Sequence, residues 1–246
     1  MTKAWVVLCC FAMMLQSTSA LAESSGVPEV SVKLDQKAAA VAAWDFARCA
    51  VRKRPEEVRA ILKVKLETAD PEGDAKARIL LLQKLAKRRG DCLAPGDSLK
   101  SGPQLFYDFL GGASFLMKYA DRPLPDYSEG EKVVTIDDVK NAPAGVKRTD
   151  MVFRVFGECV FRLNPDGVKT LIMSRPFSQQ EDAAFAQIQA VMGECIPFQE
   201  GMQAKLSKLL VREYLSMAAY LVDEFYELSK KKRAETVTDK QGLLYA

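Results

Sequence analysis

The sequence predicts an all-α protein made of two similar four-helix units in tandem, each with an internal disulfide, after a cleaved signal peptide. Three observations carry that expectation. One stretch occurs twice, as FARCAVRKRPEEV at Phe46–Val58 and FGECVFRLNPDGV at Phe156–Val168. Phe46/Phe156, Cys49/Cys159, Arg52/Arg162, Pro55/Pro165, Glu56/Asp166 and Val58/Val168 stand in register. Apolar residues recur three and four positions apart, the spacing of one helix face. The chain that remains after the signal has four cysteines, Cys49, Cys92, Cys159 and Cys195, an even number in a chain bound for an oxidising compartment.

Residues 1–22 read as the signal: Lys3 in a short positive region, an apolar run from Ala4 to Leu15, and STSALA with Ala20 and Ala22 before the cleavage point. Cys9 and Cys10 sit mid-run behind Leu8, so a lipid-attachment box is not formed. The run is too short for a bilayer, which needs roughly 20 apolar residues. The rest carries 34 basic residues (35 less Lys3) against 32 acidic ones, a net of +2, so no strong field draws nucleic acid. No later stretch is apolar enough to span a membrane, so no integral membrane segment is expected after cleavage. The setting expected is periplasmic or secreted.

Unit 1 is placed at 31–120 and unit 2 at 151–232. The first helix of unit 2 shows Val152, Val155, Phe156, Cys159, Val160 and Leu163 on one face; unit 1 repeats it weakly with Ala42, Phe46, Cys49 and Ala50. Asn164-Pro165-Asp166 then starts a second helix with a cap, a proline at its first position and an acid at the positive end of the dipole; Arg54-Pro55-Glu56-Glu57 does so without the good cap. Ser178-Gln179-Gln180-Glu181 is a capping box before the stripe Ala184, Phe185, Ile188, Val191, Met192, and Asp74 is expected to cap the matching helix with Leu81, Leu82 and Leu85 inward. Lys84, Lys87, Arg88 and Arg89 suit that helix's C-terminal end. Gly90 and Gly193, each before an acid and a cysteine, are expected to take left-handed caps.

The fourth helices match position for position, DFLGGASFL at Asp108–Leu116 and EYLSMAAYL at Glu213–Leu221, and their small residues predict close helix approach. The second keeps Leu206, Leu209, Leu210, Tyr214, Met217, Ala218, Leu221, Phe225 and Leu228 on one face. A polar linker, 121–150, holds Pro123, Pro125 and Pro143 and one strand-like run, Val133–Ile136. Residues 233–246 read as a flexible tail.

Duplication of a self-contained unit selects Cys49–Cys92 and Cys159–Cys195 among the three possible pairings. A zinc site does not fit, since no C-x-x-C pair exists and the chain has no histidine. Arg52 and Arg162, one turn past the first cysteine, are expected to bond the last carbonyls of the first helix or to pair with Asp91 and Glu194; paired anion sites are the alternative. The missing histidine excludes Ser-His-Asp, Cys-His and H-E-x-x-H chemistry. No phosphate-cradling glycine motif is present, and Ser229-Lys230-Lys231-Lys232 is a helix end. Two-carboxylate chemistry has only Glu158, Glu194 and Glu200 as candidates near the second disulfide, each expected on the surface.

The pattern C-x-x-R-x-x-P-[DE]-x-V, with a second cysteine some forty positions on, resembles a family of uncharacterised secreted bacterial proteins. The resemblance covers most of the chain and implies a bacterial periplasmic or secreted setting without supplying an activity. No catalytic residue, cofactor or metal ligand is expected. The function expected is an exported binding module for an unidentified protein or envelope component. An envelope structural or stress-tolerance role and a carboxylate-dependent cell-wall glycan hydrolase are the alternatives.

Overall fold

The computed structural model describes residues 36–67, 71–87, 92, 102–128, 130–196 and 206–243. The signal segment, Cys9, Cys10, Gly90, Asp91 and Glu200 lie outside them. Nine helices and no strand occur among the described residues: α1 (Gln36–Lys53), α2 (Pro55–Glu67), α3 (Pro71–Lys87), α4 (Pro103–Tyr119), α5 (Ile136–Asn141), α6 (Val146–Leu163), α7 (Pro165–Met173), α8 (Gln179–Glu194) and α9 (Lys208–Leu243). The all-α expectation holds. Both disulfides form as paired above, Cys49 with Cys92 and Cys159 with Cys195, at Cα–Cα separations of 5.5 and 5.6 Å.

Local signals place most helix ends. The Asn164 side chain accepts from the Gly167 amide ahead of Pro165, and the Ser178 hydroxyl accepts from the Glu181 amide. Glu181 completes only part of the expected box, because its carboxylate accepts from the Phe177 amide, one residue before the cap. Asp74 does not cap: α3 begins at Pro71 and already contains it. Gly193 lies within α8, and Cys195 ends the helix with φ −93°, so no left-handed glycine is used there. Val133–Ile136 is not a strand. Val133 and Val134 form a bend, and Thr135 caps α5 through a reciprocal pair with Asp138. At the other end α9 continues to Leu243, past the point where a tail was expected.

The buried faces differ from the expected ones in detail. In α1 the inward residues are Ala40, Ala43, Phe46, Ala47, Ala50 and Val51, while Ala42 is exposed. In α6 Phe161 is buried and Leu163 is 56% exposed. In α9 Leu228 is 47% exposed, because the buried run Leu215–Asp223 ends before it.

Packing partners correspond in the two halves. α1 packs on α4 as α6 packs on α9, and α2 on α3 as α7 on α8. The fourth helices also pack on each other, so residues of both halves enter one hydrophobic core. An unbroken run from Phe106 to Ala113 is buried in α4, the signature of a helix surrounded on all sides.

Glycines set the approach of these two helices. A Cβ on Gly112 would lie 2.8 Å from the Ser216 Cβ and 3.0 Å from Ile172 Cγ2, whereas one on Gly111 would meet the mobile Met217 methyl at 2.9 Å. In the alignment Gly111 matches Ser216 and Gly112 matches Met217, so each residue meets the counterpart of its neighbour, as across a two-fold contact. Overpacking costs about 1–3 kcal/mol, against roughly 1 kcal/mol regained when alanine replaces a helical glycine. Gly112→Ala is therefore expected to lower stability by about 1–2 kcal/mol and Gly111→Ala to be near neutral. Urea unfolding curves that shift equally for both variants would count against this packing.

Candidate functional site

The repeat arginines have different surroundings. Arg162 is clamped: Nε donates to Glu158 Oε1 at 2.8 Å, Nη1 to the Tyr127 carbonyl, and Nη2 to the Glu131 carbonyl at 2.5 Å. Glu158 is buried and accepts from the Val133 amide at 3.0 Å and the Val134 amide at 3.1 Å. Arg162 and Glu158 thus bind the backbone of the segment Tyr127–Val134 from opposite polarities, one donating and one accepting. Tyr127 packs its ring on Phe161 and Tyr226, with centroids 5.0 and 5.4 Å away, and donates to Asp223 at 2.9 Å. Beside Val133, Val134, Ala218, Leu221 and Val222 a void of only about 10 Å³ remains, room for a single water at most. The linker is the filling of the groove between α6 and α9.

At the matching place in the first half the groove is open. Arg52 is exposed and donates through Nε only to the Arg48 carbonyl, 3.2 Å away. Arg48 lies over the Trp44 ring at 4.6 Å. Among the described residues neither guanidinium has a carboxylate partner. They overlook a cavity of about 360 Å³ floored by Val51, Ala113, Leu116, Met117 and Met173, with Asp121 at its rim. A second cavity of about 310 Å³ shares Val51 and Met117 and continues past Lys118 to Tyr220 and Glu224. These volumes are in the range of ligand sites. Met117 is 50% exposed on the floor they share.

The alignment makes the comparison residue by residue. Arg52 corresponds to Arg162, Val51 to Phe161, Ala113 to Ala218, Leu116 to Leu221 and Met117 to Val222. Arg48 corresponds to Glu158, so the charge at this position is reversed. Lys118 corresponds to Asp223, and the two pair at 2.8 Å. Burial pulls the Lys118 ammonium down, but the hydrogen bond and charge of Asp223 outweigh it and hold its pKa above the usual lysine range.

The remaining expectations are settled by position. Arg162 pairs with Glu158 and not with Glu194, which is exposed at the end of α8. Arg52 bonds the Arg48 carbonyl one turn back in its own helix, not one of the helix's last carbonyls as one reading held; Asp91 is not among the described residues. Glu158 is not a surface acid. Its oxygens are engaged by two amides and a guanidinium, which leaves no free base there. No group of three metal-binding side chains occurs among the described residues, and no helix among them is long and apolar enough to cross a membrane.

Two clusters escaped the sequence reading. Arg212 is fully buried and bonds Glu181 at 2.7 Å, the Ser174 hydroxyl at 3.3 Å and carbonyl at 2.5 Å, and the Ile172 carbonyl at 3.1 Å. Its one readable signal is an arginine one turn from Leu209 toward the helix's inner face. The other cluster joins Asp108 on α4, Asp150 and Arg154 on α6, and Glu213 and Tyr214 on α9, with Arg78 of α3 acting on the two aspartates. Burial pushes the Asp108 carboxyl well above its ordinary range, with the Gln104 bond opposing and Glu213 and Asp150 adding to it. Burial likewise raises Asp150 and pushes Glu213 up to about 7.

A carboxyl raised in the folded state is favoured neutral there, while the unfolded chain gives up its proton lower down. Its contribution is complete below the unfolded value near 4.5 and is lost as pH climbs through about 7. Melting temperature is expected to fall between pH 5 and 8, and Glu213→Gln to flatten that slope. Equal slopes in the two proteins would sink the assignment to Glu213.

The chain matches no protein-family model, no curated protein and no solved structure.

Proposed function

We propose that this chain is an exported binding module, built by duplication of a four-helix unit, whose binding element is the open groove between α1, α4 and α7. One observation carries the reading: of two matching grooves, the second is filled by the chain's own linker, and the first, among the described residues, stands open below two guanidiniums that have no carboxylate partner. The disulfides are compatible with an oxidising compartment, and residues 1–22 read as a leader; both support a periplasmic or secreted setting. The partner is a protein or other envelope component. Glu158, engaged by the linker, counts against the glycan-hydrolase alternative.

A photoreactive amino acid placed at Met117 in the native host tests this. It is expected to give a discrete adduct by intact mass, and the same group at Leu80 to give none, although Leu80 is more exposed (66% against 50%). Filling the groove from its exposed edge with Ala120→Trp is expected to abolish the Met117 adduct. Equal labelling at both positions, or an adduct indifferent to Ala120→Trp, would overturn the reading.

A further inference from the structure

The occupant of the second groove shows what the first is shaped to hold. Tyr127, Ser128 and Gly130–Val134 lie there as turns and bends, read through their backbone: Arg162 donates to two carbonyls, and Glu158 accepts from two successive amides. Apolar side chains at Leu221 and Val222 support it from below. The first groove repeats the supports, with Arg52 for Arg162, Leu116 for Leu221 and Met117 for Val222. Of the two side chains that bind that backbone it changes one. Arg48 replaces Glu158, so the position that accepted two amide protons now offers only donors.

We infer that the α1/α4/α7 groove binds a non-helical peptide segment of a partner protein, apolar along the Leu116–Met117 floor, with its backbone carbonyls on Arg52 and an acidic side chain on Arg48. This rests on the groove being the binding element. Geometry selects a non-helical segment read through its backbone, because the same framework already holds one in the same molecule. Charge selects the acid. A segment like the linker would set two amide donors against the Arg48 guanidinium and leave all of them unsatisfied, whereas a carboxylate there makes a charge-assisted, two-pronged pair. Asp121 is the one carboxylate among the described residues lining this cavity, against two arginines, so their local balance is positive.

The test uses two decapeptides blocked at both ends: DYSEGEKVVT, which copies residues 126–135, and DYSEGEKEVT, with glutamate at the first valine. Calorimetry on the full chain is expected to show the glutamate peptide binding about tenfold tighter than the linker peptide, the size of one charge-assisted bond. Arg48→Glu, which makes the first groove resemble the second, is expected to invert that preference. Arg52→Gln is expected to weaken both peptides about tenfold. Arg48 and Arg52 are both exposed, so the folded state of each variant is checked by an unchanged melt.

The inference is overturned if neither peptide binds wild-type protein, if both bind equally in wild type and Arg48→Glu, or if Arg52→Gln leaves affinity unchanged. The Met117 adduct does not depend on the ligand's chemistry. Peptide failure with that adduct intact removes the acidic segment alone, and loss of the adduct removes the groove as a site.

Discussion

Glu181→Ala is expected to destabilise the protein by about 3–5 kcal/mol, the cost of leaving a buried cation without its partner. Arg212 has no exposed surface, and its carboxylate partner Glu181 is 3% exposed. Burial pulls the Arg212 pKa down, and the charge and bond of Glu181 act against that pull. The guanidinium also closes the end of α7, where it takes the Ile172 and Ser174 carbonyls, and so joins α7, α8 and α9 at one point. A loss of that size corresponds to a melting temperature lower by roughly 6–20 °C in a chain of this length. The double variant Glu181→Leu/Arg212→Met is expected to recover much of the loss, since replacing a buried ion pair by packed apolar groups is commonly near neutral. Recovery stays incomplete because two helix-end carbonyls lose their donor. A single variant that melts within a degree or two of wild type would show that water reaches Arg212 and that the site is not dry.

Removing the disulfides is the other large effect, and it should be unequal. Sequence separations of 43 and 36 close loops that constrain the unfolded chain by about 4 kcal/mol each. Loop length therefore predicts near equality. The native side breaks the tie. α1 buries four alanines with Phe46 and Val51, whereas α6 buries Phe156, Val160 and Phe161 and is further held by the Arg162–Glu158 clamp on the linker. At about 25 cal/mol per Å² of apolar surface, alanines contribute much less than phenylalanines. Cys49→Ala/Cys92→Ala is therefore expected to loosen α1–α3 more than Cys159→Ala/Cys195→Ala loosens α6–α8. Amide exchange read helix by helix checks it: α2 and α3 should lose protection in the first variant before α7 and α8 do in the second. Equal loss in both would mean that the shared core, not the helix anchored by each bond, governs local opening.

The sequence by itself determined what depends on neighbours within about four positions, and on matching one half against the other. Asn164 with Pro165 and Ser178 with Glu181 announce helix starts because a cap bonds an amide two or three residues ahead. The alternation of buried positions in α6 announces a face. The stretch that occurs twice selected the cysteine pairs that form: Cys49–Cys92 joins α1 to a residue beyond α3, and Cys159–Cys195 joins α6 to the end of α8. Misreadings on this scale were small: Asp74 lies inside a helix that starts three residues earlier, and Ala42 and Leu163 fall just off the buried arcs.

Only the tertiary structure decided what lies beyond that reach. The two fourth helices pack on each other, so two units that read as separate share one core. An arginine inside α9 is legible as polar, but not as buried; its partner is 31 residues away and arrives only when α8 docks. Arg52 and Arg162 carry the same local sequence signature, and nothing near them in the chain separates their fates. The groove beside Arg162 is filled because the segment 25–35 residues before it and its partner Glu158 folds back between α6 and α9, and Val133 and Val134, part of a strand-like run, are bent there where a carboxylate accepts both amides. Among the described residues no such segment returns to Arg52, so the same residue that is structural in one half faces an open groove in the other. The reason is physical: a helix face and a cap are fixed by local hydrogen bonds and periodicity, whereas the occupancy of a groove is fixed by which distant backbone can reach it.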